Sequence, residues 1–103
     1  MRRLLRVESE ESPGSAPTFD PERPWRLHRR VSLRDEDFGA LAYHYENRRL
    51  VFLKSPRLVA LVKSLDRFDS ATEAVAVAVA EGERAQYTRA LAQLAVAQVI
   101  DVR

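Results

Sequence analysis

Hydrophobic and polar positions alternate with period 2 over residues 25–33, which puts Trp25, Leu27, Val31 and Leu33 on one face. That pattern predicts a half-exposed strand, with a break near Arg29. A polar turn, Arg34-Asp35-Glu36-Asp37, precedes a second predicted strand over residues 38–45. Glu46-Asn47-Arg48 then turns the chain into a third, Arg49-Leu50-Val51-Phe52-Leu53-Lys54. A two-residue Asn47-Arg48 loop would set Tyr45 against Leu50, Tyr43 against Phe52 and His44 against Val51, because asparagine tolerates the positive φ of primed hairpin turns. The third strand is apolar on both faces. It is therefore either buried on both sides or an edge strand with an uncovered apolar face.

Beyond it the period changes to that of helices. Ser55-Pro56 reads as an N-cap followed by proline at the first helical position, and Leu58, Leu61, Val62 and Leu65 form one apolar stripe. Ser70-Ala71-Thr72-Glu73 reads as a capping box. The run Ala74-Val75-Ala76-Val77-Ala78-Val79-Ala80 alternates like a strand, but the cap before it and its alanine content predict helix. Glu81-Gly82-Glu83 stops that helix and starts a last one, reaching about Val99, with Tyr87, Leu91, Leu94 and Gln98 on one stripe. Ile100-Asp101-Val102 reads as a closing turn or a stub of strand. The expected fold class is α+β: a three-stranded antiparallel sheet followed by three helices, like a winged helix-turn-helix.

Composition divides the 103 residues in two. Residues 1–24 contain one aromatic, four prolines and more acidic than basic side chains, so they are expected to be disordered and dispensable. Residues 25–103 form the folded domain. The positive charge is concentrated: residues 25–67 carry 10 basic and 5 acidic side chains, whereas residues 68–103 carry 3 and 5. An acidic partner would meet the sheet before the last helices. Cysteine is absent, so no thiol or iron–sulfur chemistry arises from this chain. No apolar run approaches the roughly 20 residues of a membrane span, and a soluble, cytoplasmic protein without membrane contact is expected.

Catalytic chemistry is not visible. The only histidines, His28 and His44, have no second ligand at metal spacing, and no nucleophile has an adjacent base. There is no glycine-rich phosphate loop. Neither an enzyme nor a cofactor is expected. Two binding readings remain. A winged-helix DNA regulator would use Arg84, Gln86 and Arg89 on the last helix, but that third of the chain is net acidic and a poor footprint for phosphates. An edge strand rich in Leu50, Val51, Phe52 and Leu53 and flanked by cations instead suits capture of an extended peptide as an added strand.

Several short motifs occur in a particular order. They are Trp25-Arg26-Leu27-His28, Val31-Ser32-Leu33-Arg34, Phe38-Gly39-Ala40-Leu41, Tyr43-His44-Tyr45 and Arg48-Arg49-Leu50 with Phe52-Leu53-Lys54. Ser70-x-x-Glu73-Ala74-Val75 and Tyr87-x-Arg89-Ala90-Leu91-x-x-Leu94 complete the series. Together they resemble the peptide-recognition proteins of ribosomal peptide natural-product pathways, typified by the pyrroloquinoline-quinone peptide chaperones, and within them the mycofactocin peptide chaperone family. The Val-Ala repeat departs from the more polar second helix of that group. The resemblance implies a non-catalytic adaptor without cofactor. It would hold the leader of a precursor peptide as a strand beside the third strand and present it to a radical S-adenosylmethionine maturase, without binding nucleic acid. Carried over by position, the groove comprises Arg49, Leu50, Val51, Phe52, Leu53 and Lys54 with Arg84, Tyr87, Thr88 and Leu91. Either face of the third strand could line it.

Overall fold

A computed structural model of the chain describes residues 4–7 and 19–103. Its main sheet has four antiparallel strands: β1 (Leu5–Val7), β3 (Val31–Glu36), β4 (Gly39–His44) and β5 (Leu50–Leu53), in the order β1-β5-β4-β3. A second, two-stranded sheet pairs β2 (Trp25–Leu27) with β6 (Ile100–Val102). Three helices follow β5: α1 (Pro56–Ser64), α2 (Ala71–Ala78) and α3 (Arg84–Val96). The α+β class and the three helices are as expected, whereas the main sheet has four strands rather than three. Its inner face, with Val31, Ala40, Ala42, Val51 and Leu53, is buried with Leu58, Leu61, Val62, Leu91 and Leu94 from the helices.

The stretch expected as one broken strand is two strands in different sheets. Between them Val31 N–H donates to the His28 carbonyl (3.0 Å), a turn that redirects the chain at the predicted break. The hairpin register also differs. Tyr43 lies opposite Leu50 and Leu41 opposite Phe52, two residues from the expected pairing, so each side chain keeps its predicted face. The reason is the loop: residues 45–48 form it, and Arg48 rather than Asn47 takes the left-handed conformation (φ 60°). Asn47 serves it differently, its side-chain oxygen accepting the Arg49 N–H at 2.9 Å. Gly39 begins β4 with φ 149°, and a Cβ there would land on the Leu53 carbonyl oxygen, so glycine is required for β5 to end against it.

The helix signals hold. Ser55 Oγ accepts the Leu58 N–H (3.2 Å) with Pro56 at the start of α1, and Ser70 Oγ accepts the Glu73 N–H (3.0 Å). Glu73 reaches back to the Asp69 N–H at 3.3 Å, one residue before the donor used by a capping box. The Val-Ala run is helical, with Ala74 and Val75 buried. α3 stops at Val96, short of Val99, and Gln98 (φ 64°) leaves the predicted stripe, its side chain accepting from Asn47 Nδ2 at 2.9 Å.

Two parts of the segment expected to be disordered carry structure, while residues 1–3 and 8–18 lie outside the described residues. One is β1. The other is residues 19–24, where Phe19 stacks 4.9 Å from Trp25 and Trp25 Nε1 donates to the Asp20 carbonyl at 2.8 Å. The carbonyls of Arg23 and Pro21 accept from the Ala71 and Thr72 amides (3.2 and 2.9 Å), donors that the start of α2 cannot satisfy itself. Low apolar content argues against a core. It does not argue against backbone carbonyls capping a helix.

Candidate functional site

The β5 edge gathers the predicted strand residues. Direction of the backbone groups follows from two hydrogen bonds. His44 N–H donates to Arg49 O (3.0 Å), which turns residues 49, 51 and 53 toward β4. Lys54 N–H donates to Leu4 O (2.6 Å), and by the same alternation the amides of Leu50, Phe52 and Lys54 point the other way, toward β1. The expected open edge is therefore occupied by the chain's own residues, with Leu5 opposite Leu53, Arg6 opposite Phe52 and Val7 opposite Val51.

The two faces of β5 differ. Val51 and Leu53 point inward and are fully buried, so they form the floor of the core rather than a surface. Leu50 and Phe52 point outward and are half-buried beside Tyr43 and Leu41. The Phe38 ring stands edge-on to Phe52 at 6.0 Å, and the Arg6 guanidinium lies 5.2 Å from the Phe52 ring centre. This outer stripe, with Tyr43 and Tyr45 exposed, has no helix over it.

The other predicted residues divide by role. Arg49 was expected as a surface cation and is only 6% exposed. Its Nη1 donates to Val96 O (3.1 Å) at the end of α3, which draws the guanidinium inward, and its Nε has no hydrogen-bond partner. Lys54 is exposed at the end of the strand. Arg84 holds the end of α2, donating to the carbonyls of Val79 (3.0 Å) and Ala76 (3.1 Å). Tyr87 is buried, and its hydroxyl meets Ser55 Oγ at 3.1 Å. Thr88 is half-exposed, and Leu91 is completely buried. The last helix thus supplies core and bracing at Arg84, Tyr87 and Leu91, while the accessible part of the site is the outer face and edge of β5.

Sequence reasoning missed Leu5 and Arg6. The only signal for them was the short apolar–basic run Leu4-Leu5-Arg6-Val7. It also missed the histidine pair beneath the hairpin loop. His44 Nδ1 accepts the amides of Glu46 (3.2 Å) and Asn47 (3.3 Å), its ring lies 4.6 Å from that of His28, and its Nε2 has no partner. Burial, reinforced by His28 and by Arg49 and Arg30, holds the His44 pKa below its ordinary 6.5 against the opposing pull of Glu46. Two accepted amides require the neutral ring. Among the described residues, no group of three or more His, Cys, Asp or Glu could hold a metal, and no helix is long and apolar enough to cross a membrane.

The family model of the Peptide chaperone MftB family matches residues 24–101. The peptide chaperone MftB of Mycobacterium ulcerans is 44% identical over 97 residues, covering 92% of this chain and 89% of that protein. That of Mycolicibacterium smegmatis is 46% identical over 78 residues, covering 75% and 76%. No solved structure matches. With most of both chains aligned and the whole span from β2 to β6 inside the match, this chain belongs to the MftB peptide chaperone family, which is non-catalytic.

Proposed function

We propose that residues 25–103 form a peptide-recognition domain that binds the leader of the mycofactocin precursor peptide as a strand along β5 and presents its far end to a radical S-adenosylmethionine maturase in the cytoplasm. The observation that supports this reading is the set of amides at Leu50, Phe52 and Lys54, which face away from β4 along an edge able to hold an antiparallel strand. Backbone pairing supplies affinity. The outward Leu50 and Phe52 lie beside the added strand and select its side chains. The maturase, with its own clusters and S-adenosylmethionine, supplies the chemistry.

The DNA-regulator alternative is weaker. Arg84, which it requires for base contacts, has its guanidinium on two carbonyls of α2 and the loop after it. Calorimetric titration with the precursor peptide, beside a random duplex of equal concentration, tests the choice. Saturable peptide binding with little duplex binding is expected. Salt-sensitive duplex binding with no peptide binding would refute the proposal.

A further inference from the structure

We infer that residues 4–7 are an intramolecular stand-in for the precursor peptide, and that a peptide offering one large aliphatic side chain opposite Leu53 binds by displacing them. This rests on the strand-addition reading above. Four observations carry it. β1 occupies the same edge amides that the peptide needs, with Lys54 N–H already bonded to Leu4 O at 2.6 Å. The match to the family begins at residue 24, so β1 lies outside it while the strand it covers lies within. β1 spans only three residues, and Leu5 is its buried anchor, 6% exposed and packed into the core beside Leu53. Arg6 points outward over the Phe52 ring. A three-residue strand held through one buried leucine is replaceable by a longer strand with the same anchor.

The ligand's chemistry can be read from this occupant. It runs antiparallel to β5 and places an aliphatic side chain, leucine or one of similar volume, in the space that Leu5 fills. The next residue faces the Phe52 ring, where Arg6 now lies and where a cation or another flat group fits. Occupancy by β1 reduces apparent peptide affinity by the fraction of molecules in which the edge is open. It also covers a hydrophobic edge strand that would otherwise pair with other chains.

The test uses the full chain. Leu5→Asp sets a carboxylate against the apolar space and releases β1 without touching β5. Its affinity for the precursor peptide is expected to exceed that of the unaltered protein by about tenfold or more, equivalent to about 1.4 kcal/mol. A synthetic peptide of residues 1–10 is expected to bind the variant and compete with the precursor, whereas the same peptide carrying the Leu5→Asp change does neither. An independent readout needs no variant: on adding precursor to the unaltered protein, hydrogen exchange should speed up at residues 5–7 and remain slow at residues 50–54. Equal affinities without competition, a weaker-binding variant, or continued protection of residues 5–7 overturns the inference and leaves strand addition standing. If the precursor binds neither protein while the residue 1–10 peptide binds the variant, the proposed function fails and the stand-in assignment falls with it.

Discussion

Removing the Tyr87 hydroxyl separates a brace from a binding group. The hydroxyl lies 3.1 Å from Ser55 Oγ, which also accepts the Leu58 N–H at 3.2 Å, so one short chain of hydrogen bonds ties α3 to the start of α1. Tyr87→Phe deletes one end of that chain and leaves the cap in place, a loss of about 1 kcal/mol. Ser55→Ala removes the cap, about 1 kcal/mol, and strands the buried tyrosine hydroxyl for a further 1–3, a total of about 2–4 kcal/mol. For a domain of this size each kcal/mol corresponds to about 4–8 °C in Tm. Tyr87→Phe is expected to lower Tm by that amount, and Ser55→Ala by roughly 10 °C or more. In the double variant no hydroxyl is left without a partner, so its cost should fall short of the sum by about 1 kcal/mol. Urea or thermal unfolding of the four proteins measures this, and peptide titration of Tyr87→Phe should match the unaltered protein. Strict additivity, or a tenfold affinity loss at unchanged Tm, would refute the brace and return Tyr87 to the groove.

Further expectations concern the strand edge, the histidine and the arginine. Phe52→Pro removes an amide that faces β1 and should leave the fold largely intact while abolishing peptide binding; Val51→Pro removes one that faces β4 and should unfold the sheet, and the reverse result in circular dichroism and titration would show that the register is wrong. His44 is neutral when folded and its pKa lies below 6.5, so the unfolded chain takes up the proton first and stability should fall as pH drops below about 6.5, by at most about 1.4 kcal/mol per pH unit. Urea midpoints between pH 8 and 5 would reveal the drop, and His44→Asn should flatten it; an unchanged slope in the variant would assign the effect elsewhere. Arg84→Ala should cost about 1 kcal/mol through the lost α2 carbonyl contacts, with no salt-dependent change in peptide affinity. A fall in peptide affinity at unchanged Tm would return Arg84 to the groove.

What was legible in the sequence was local. Ser55-Pro56 and Ser70 marked their helices because a cap is settled within four residues, and the cap also decided the Val-Ala run in favour of helix. The alternation of β5 located the strand, and its faces, but not its neighbours. β1 escaped because its pairing spans more than forty positions and three residues carry too little pattern to register. The hairpin slipped by two because the left-handed position went to Arg48, a residue with no intrinsic preference for it. Arg49, Tyr87 and Leu91 belong to the core for reasons of placement: α3 ends over Arg49 and lays Tyr87 and Leu91 inward. Charge and apolarity alone do not distinguish a brace from a binding face.

The pairing of β2 with β6 brings the domain's entry and exit side by side. Trp25 lies opposite Val102, and Arg103 N–H donates to Pro24 O at 2.9 Å. A fold closed in this way can be spliced into a surface loop of a host protein without being pulled open. Its specificity would then be portable in an unusual sense. Whatever host sequence led into Pro24 would compete for β5 as residues 4–7 do, so the upstream segment, and not the domain itself, would set how readily an outside peptide is admitted.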